Sequence, residues 1–311
     1  MKKKIYLFLL IPISFFGQEI ISEDYELYNG DIYLPGTLSY PKSNKEIPLA
    51  IFIHGSGNGD RNGNQGNLAH ADHIKQLADS LNAKGIAFYR FDKRNATPSN
   101  LDKIEMEKAT IHDLAKDVSV SVLEFDNDPR FSSIHLIGHS QGSLVGILAV
   151  SDKVDGYVSL AGPGTTIDKP LIRQIKAQNP DLGKIAEEHV KELMETDTIA
   201  EVNFLLMSIF APQGQKYLKD WMSLDPAKEI QKIEIPVLIV NGDSDIQVTI
   251  EDAHLLKQAK PEARLVIIKN MNHMLKIVEN ATENTASYTN PSFPLSQELV
   301  EALVEFIRDH G

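Results

Sequence analysis

Residues 134–142 read IHLIGHSQG. An apolar, partly β-branched run ends in Gly138-His139-Ser140-Gln141-Gly142, and the chain continues as the apolar, proline-free SLVGILAV. The first part has the pattern of a buried strand and the second that of a helix. A serine between two glycines at a strand-to-helix turn is the GxSxG arrangement. The turn forces the serine backbone into a strained conformation, and the glycines let strand and helix approach without a Cβ clash. It also exposes Oγ and aims a helix N-terminus at any developing negative charge. Ser140 is therefore the candidate nucleophile, against the plainer reading of a structural glycine turn.

Working outward, the same alternation recurs. Two short strand-like pieces are expected around Asp31 to Tyr40, then a buried strand IPLAIFI from Ile47, a glycine-rich loop, and a helix carrying Ile74, Leu77, Ala78 and Leu81 and stopped by Gly85. The strand IAFYRFD follows, then a helix with Ile111, Leu114, Ala115, Val118, Val122 and Phe125 on one face. After GYVSLAG the rhythm stops, and residues 163–232 form a charged, helix-rich stretch containing the only tryptophan, Trp221. Strands resume at PVLIVNGDSD and ARLVIIKNMNH, and Leu295, Leu299, Leu303, Phe306 and Ile307 mark a final amphipathic helix. Strands alternating with helices predict an α/β fold, a doubly wound, mostly parallel sheet, with residues 18–162 and 233–311 as the core and 163–232 inserted as a helical lid.

A serine at such a turn needs a base to take its proton and an acid to orient that base, in the chain order Ser, Asp or Glu, His, each at a strand end. The loop NGDSDIQV supplies Asp243 and Asp245; Asp245 stands further out and is preferred, because an aspartate directly after Gly242 more often fixes its own turn. His273, just after the last strand, is the candidate base, whereas His254 and His310 fit the order poorly. Two backbone donors are expected for a tetrahedral oxyanion: Gln141, the residue after the nucleophile, and Ser56 in the HGSG loop, with Gly57 next. His54 is read as bracing that loop. His70, Asp72 and His73 lack the spacing and further ligands of a metal site and read as solvated loop residues. YRFDKR is expected to form a salt-bridged pocket wall, and Phe204, Leu205, Leu206, Met207, Ile209 and Phe210 either line a pocket or pack the insert.

The chain opens MKKKIYLFLLIPISFFGQ, three lysines ahead of a short apolar run and Gly17, which is the layout of a secretory signal peptide over residues 1–17, with an uncleaved anchor as the alternative. The run is too short and too interrupted for a stable membrane span. A periplasmic or secreted protein is expected. The net charge of −12 and the absence of a basic cluster disfavour nucleic acid as a partner. The absence of cysteine excludes disulfides, thiolate catalysis and cysteine-ligated metal.

The segments HGSGNGDRN (54–62), YRFDKRN (89–95), IGHSQG (137–142), LAGPG (160–164), NGDSDIQV (241–248) and NMNHML (270–275) resemble bacterial α/β-hydrolase carboxylesterases related to dienelactone hydrolases and bile-acid acyl-CoA thioesterases. The resemblance implies a doubly wound α/β-hydrolase sheet with a helical lid, no cofactor, and hydrolysis of carboxylic esters through an acyl-enzyme formed by Ser140, Asp245 and His273; the acidic surface and modest lid favour a small-molecule ester as substrate. Asn95 stands where relatives usually carry glycine, and the loop after HGSG is unusually rich in Gly and Asn. Both departures bear on substrate shape. The same triad also serves peptidases and thioesterases; a peptidase needs a site for a charged terminus, for which acidic residues such as Glu187 and Glu188 are candidates, and export disfavours coenzyme A esters. A non-catalytic binding module on this scaffold is the reading from another class.

Overall fold

The computed structural model describes residues 18–66 and 69–311, so the expected signal segment at 1–17 lies outside the described residues. The elements are β1 (Ile20–Asn29), β2 (Ile32–Pro41), β3 (Ile47–Ile53), α1 (His73–Asn82), β4 (Ala87–Phe91), α2 (Ile111–Phe125), β5 (Phe131–His139), α3 (Gln141–Ala149) and β6 (Gly156–Leu160). They continue as α4 (Asp168–Gln178), α5 (Pro180–Thr196), α6 (Met207–Phe210), α7 (Gln215–Met222), α8 (Pro226–Glu229), β7 (Val237–Gly242), α9 (Ile250–Ala259), β8 (Arg264–Ile268), α10 (Ala281–Ala286) and α11 (Gln297–Asp309).

Eight strands form one sheet in the order β1-β2-β4-β3-β5-β6-β7-β8. From β4 to β8 the pairing is parallel, and β1 and β2 are antiparallel additions at one edge. The period-2 alternation divides the core. Leu49, Ile51 and Ile53 pack with α2 and α3, while Ala50 and Phe52 face Ile74, Leu77 and Leu81 of α1 and Leu299, Leu303 and Ile307 of α11. The chain leaves β3 first for β4 on one side and later for β5 on the other. The loops after β3 and β5 therefore part at the carboxyl ends of neighbouring strands, the crevice where open α/β sheets place their sites.

The edge hairpin corrects the expectation of two short pieces near Asp31 to Tyr40. β1 and β2 pair over ten residues each, joined at Gly30-Asp31 with Gly30 at φ 59°. In β1 one face carries charged and polar residues that remain exposed at the sheet edge, which hides the strand pattern in IISEDYELYN. The helix over 111–125 lies where its apolar period places it, closed at its start by a Thr110/Asp113 capping box.

Between β6 and β7 the chain forms α4 to α8, with a small core of its own from Ala186, Val190, Leu193, Leu206, Phe210 and Leu218. This insert is tied to the sheet body by Arg173 on Asp252 at 2.9 Å and by Asp220, whose carboxylate accepts the Ile111 N–H at the start of α2 at 2.9 Å. Its apolar run divides three ways. Leu206 and Phe210 are buried in the insert, Ile209 lines a cavity, and Phe204 and Leu205 are 84% and 66% exposed. Among the described residues, no helix is long and apolar enough to cross a membrane.

Candidate active site

Ser140 sits between β5 and α3 at φ 55°, ψ −121°, a left-handed backbone that a side-chain-bearing residue holds only when its surroundings enforce it. Two backbone approaches do so. A Cβ on Gly138 would lie 2.3 Å from the Gly142 carbonyl oxygen, and one on Gly142 would lie 2.2 Å from that of Ile53. The Ser140 N–H donates to the Leu160 carbonyl at 3.0 Å, which locks the turn to β6.

At the end of β7 the two aspartates separate as their positions suggest. Asp243 is exposed and accepts the Asn270 N–H at 2.6 Å, fixing the turn. Asp245 is buried; its Oδ1 accepts the Gln247 and Val248 N–H groups at 2.8 and 3.0 Å, and its Oδ2 meets His273 Nδ1 at 2.7 Å. His273 is held from below by His139, whose Nε2–H donates to the His273 carbonyl at 2.9 Å. The loop around it is further fixed by Asn272, whose side-chain oxygen accepts the Met274 and Lys276 N–H groups at 3.1 Å each. Ser140 and His273 line the same cavity without a direct hydrogen bond between them among the described residues; in unliganded sites this contact often closes only around substrate.

The loop after β3 runs against Ser140, since a Cβ on Gly55 would lie 3.1 Å from Ser140 Cβ. Neither the Ser56 nor the Gln141 N–H has a hydrogen-bond partner among the described residues, and Ser56, Gln141 and Ser140 line one cavity. His54 braces the loop as expected: it is buried, its Nε2 lies 2.7 Å from the Phe91 carbonyl, and burial pushes its pKa down to about 4.

Two cavities meet at Ser140. One, of about 340 Å³, is the more polar of the two and glycine-rich, with His73, Gln65, His273 and Tyr288 in its wall. The other, of about 380 Å³, lies against the insert and is lined by Ile167, Leu171, Ile209, Tyr217, Leu218 and Trp221. His73 departs from expectation. It is not a solvated loop residue but the buried first residue of α1, its ring 5.7 Å from that of His139, and burial lowers its pKa to about 3. The helical spacing of Ile74, Leu77, Ala78 and Leu81 in α1 gave no sign that its N-terminus lines the site.

YRFDKR forms the expected salt-bridged wall at Asp92 and Arg94 but not at its other two cations, since Arg90 is buried and donates to Asn62 Oδ1 at 3.2 Å with no carboxylate in an ion pair with it among the described residues. Arg61 pairs with Asp92 at 2.9 Å and Arg94 with Asp117 at 2.6 Å, but Lys93 is buried with no carboxylate partner among the described residues. The two unusual loops meet each other, as Asn95 Nδ2 donates to Asn58 Oδ1 at 2.8 Å. Glu187 and Glu188 are exposed on α5, and neither lines the two cavities at Ser140.

Comparison with known proteins places this geometry among hydrolases. The family model described as serine aminopeptidase, S33, matches residues 64–228, more than half of the chain. Esterase EstD of Thermotoga maritima is 29% identical over 250 residues, which cover 78% of this chain and 58% of that one, so the chain spans little more than half the length of this curated relative. Among solved structures, Est1E from Butyrivibrio proteoclasticus aligns at a TM-score of 0.58 and 20% identity, covering 92% of this chain and 98% of that one. Pyrococcus horikoshii acylaminoacyl peptidase aligns at 0.59 and 14% identity, covering 94% and 42%. These structural likenesses bear on the α/β-hydrolase fold alone.

Proposed function

The chain belongs to the serine aminopeptidase, S33, family, and from that premise we propose that it is an exported serine hydrolase cleaving carboxylic esters of small or short-acyl type. The observation that carries the reading is the buried 2.7 Å bond between His273 Nδ1 and Asp245 Oδ2 beside the strained Ser140. His273 Nε2 takes the Ser140 proton as Oγ attacks the ester carbonyl, and Asp245 fixes the tautomer and steadies the imidazolium. The Ser56 and Gln141 N–H groups receive the oxyanion. The alkoxide leaves with the proton returned by His273, and water repeats the sequence on the acyl-enzyme.

Orientation follows from the cavities. His273 lines the polar one, so the departing alcohol belongs there, and the acyl group belongs in the apolar cavity beneath the insert, which then serves as a lid. Its volume of about 380 Å³ suits a short acyl chain or a single aromatic ring. A peptidase reading is favoured by the family's description, but recognition of a free amino terminus calls for a carboxylate near the nucleophile. No acidic residue lines either cavity among the described residues. Similarity to Esterase EstD also supports ester cleavage. Export rests on residues 1–17 and is checked by the N-terminal sequence of the protein recovered from the periplasm or medium. The activity is checked by turnover of p-nitrophenyl esters from acetyl to dodecanoyl, with a maximum expected at short chains and loss in Ser140→Ala. Turnover unaffected by that substitution overturns the assignment.

A further inference from the structure

Lys93 follows β4 and is only 7% exposed. Burying an ammonium is unfavourable unless something compensates the lost hydration. The acid whose charge it feels, Asp117, is already held by Arg94 through bonds of 2.6 and 2.7 Å. The ammonium donates instead to two neutral oxygens, the Gly55 carbonyl at 2.8 Å and Gln141 Oε1 at 3.0 Å. Neither bond belongs to the triad, yet both end on the residues that flank the nucleophile.

The Gly55 carbonyl and the Ser56 N–H are the two ends of one planar peptide and point in opposite directions across it. Holding the oxygen therefore fixes where the N–H points, and that N–H has no hydrogen-bond partner among the described residues and belongs to a residue that lines the same cavity as Ser140. A cation on the oxygen also polarises the peptide and strengthens its N–H as a donor. The second bond anchors Gln141, whose Nε2 donates to Tyr217 Oη of the insert at 3.0 Å. We propose that Lys93 is a positioning residue of the oxyanion site, its buried ammonium setting both peptide donors through the Gly55 carbonyl and the Gln141 side chain. The role rests on the acyl-transfer reading of Ser140.

The groups facing Lys93 are His54 after β3, Arg94 and Asp117 locked together, Asp113 of α2, which lines the same cavity, Gln141 of α3 and Tyr217 of α7. Burial pushes Lys93 itself down to about 8 and His54 down to about 4, and raises Tyr217. Loss of the Lys93 proton thus gives an alkaline limb that His54 and Tyr217 do not produce. The test compares wild type, Lys93→Met and Lys93→Arg by kcat and KM on p-nitrophenyl acetate and by the rate of Ser140 labelling with a fluorophosphonate, across the pH range, with circular dichroism reporting the fold.

Removing a whole oxyanion donor typically costs a factor of about 100 to 1,000 in kcat, so misaligning one is expected to cost about 30-fold. Lys93→Met should lower kcat and the labelling rate together by that factor while KM changes less than about three-fold. The wild-type limb near pH 8 should vanish in Lys93→Met and move upward in Lys93→Arg. A folded Lys93→Met protein that keeps kcat within two-fold of wild type, or retains the alkaline limb, overturns the positioning role and leaves the Ser140 reading intact. A wild type that neither turns over ester nor labels at Ser140 overturns that reading, and the role of Lys93 with it.

Discussion

The Nε2–H of His139 donates to the backbone carbonyl of His273 at 2.9 Å, with the two ring centroids 4.8 Å apart. The residue before Ser140 thus supports the loop that holds His273. Burial keeps His139 neutral, with its pKa well below the usual histidine value, so the ring has one proton, and in this bond it sits on Nε2. His139→Phe keeps the ring and removes the donor. A buried hydrogen bond contributes about 1 kcal/mol, so kcat is expected to fall about five-fold with KM little changed. Steady-state kinetics on a short ester decides; equal kcat in the two proteins would count against the coupling.

Asp243 and Asp245 are two residues apart and differ in what they hold. Asp245→Asn should leave the fold intact and lower kcat by about 10,000-fold, because an amide beside His273 Nδ1 favours the wrong tautomer. Asp243→Asn, on an exposed carboxylate bonded to the Asn270 N–H, should change kcat less than about three-fold and cost about 1 kcal/mol of stability at most. Comparable kinetic losses in both variants would reverse the assignment of the acid.

The sequence made the three candidate residues easy to pick out because each follows a strand whose apolar run is unmistakable: Ser140 after IHLIGH, Asp245 in the loop after VLIVNG, His273 in the loop after RLVII. The edge strand β1 was not, since an exposed edge carries polar residues on one face and loses its apolar signature. His73 and Lys93 were hidden for another reason. A histidine opening a helix and a lysine in a charged string look like surface residues, and only the tertiary approach of α1 and of the loop after β4 to the nucleophile buries them.

Acid should weaken the fold through histidines buried in neutral form. Burial lowers both His54 and His135 to about 4 from a reference of 6.5. The unfolded chain therefore takes up these protons first as the pH falls. Stability is full above about 6.5, declines from there to about 4, and loses no more below that point on their account. Each group contributes on the order of 3 kcal/mol over the window. Urea unfolding at pH 7 and pH 5 should show the loss, and His135→Leu, in the middle of β5 and five residues before Ser140, should show less of it than wild type. Parallel pH dependence in the two proteins would remove His135 from the account.

Glycines 142 and 214 provide a paired test of the elbow. A Cβ on Gly142 would lie 2.2 Å from the Ile53 carbonyl oxygen and 2.6 Å from that of His54, both backbone atoms that cannot rotate away. Gly142→Ala must push α3 off β3, and overpacking of this kind typically costs about 1–3 kcal/mol. Because the displaced strand end carries the HGSG loop, kcat should fall by more than the loss of folded protein explains. A Cβ on Gly214 meets nothing within 4 Å, and its φ of −98° is ordinary for any residue, so Gly214→Ala should be neutral or stabilise by about 0.5 kcal/mol through the unfolded state. Thermal melts and active-site labelling of the two variants read both effects. A Gly142→Ala protein as stable and as readily labelled as wild type would mean that the close contact of α3 with the end of β3 does not hold Ser140 in its strained conformation.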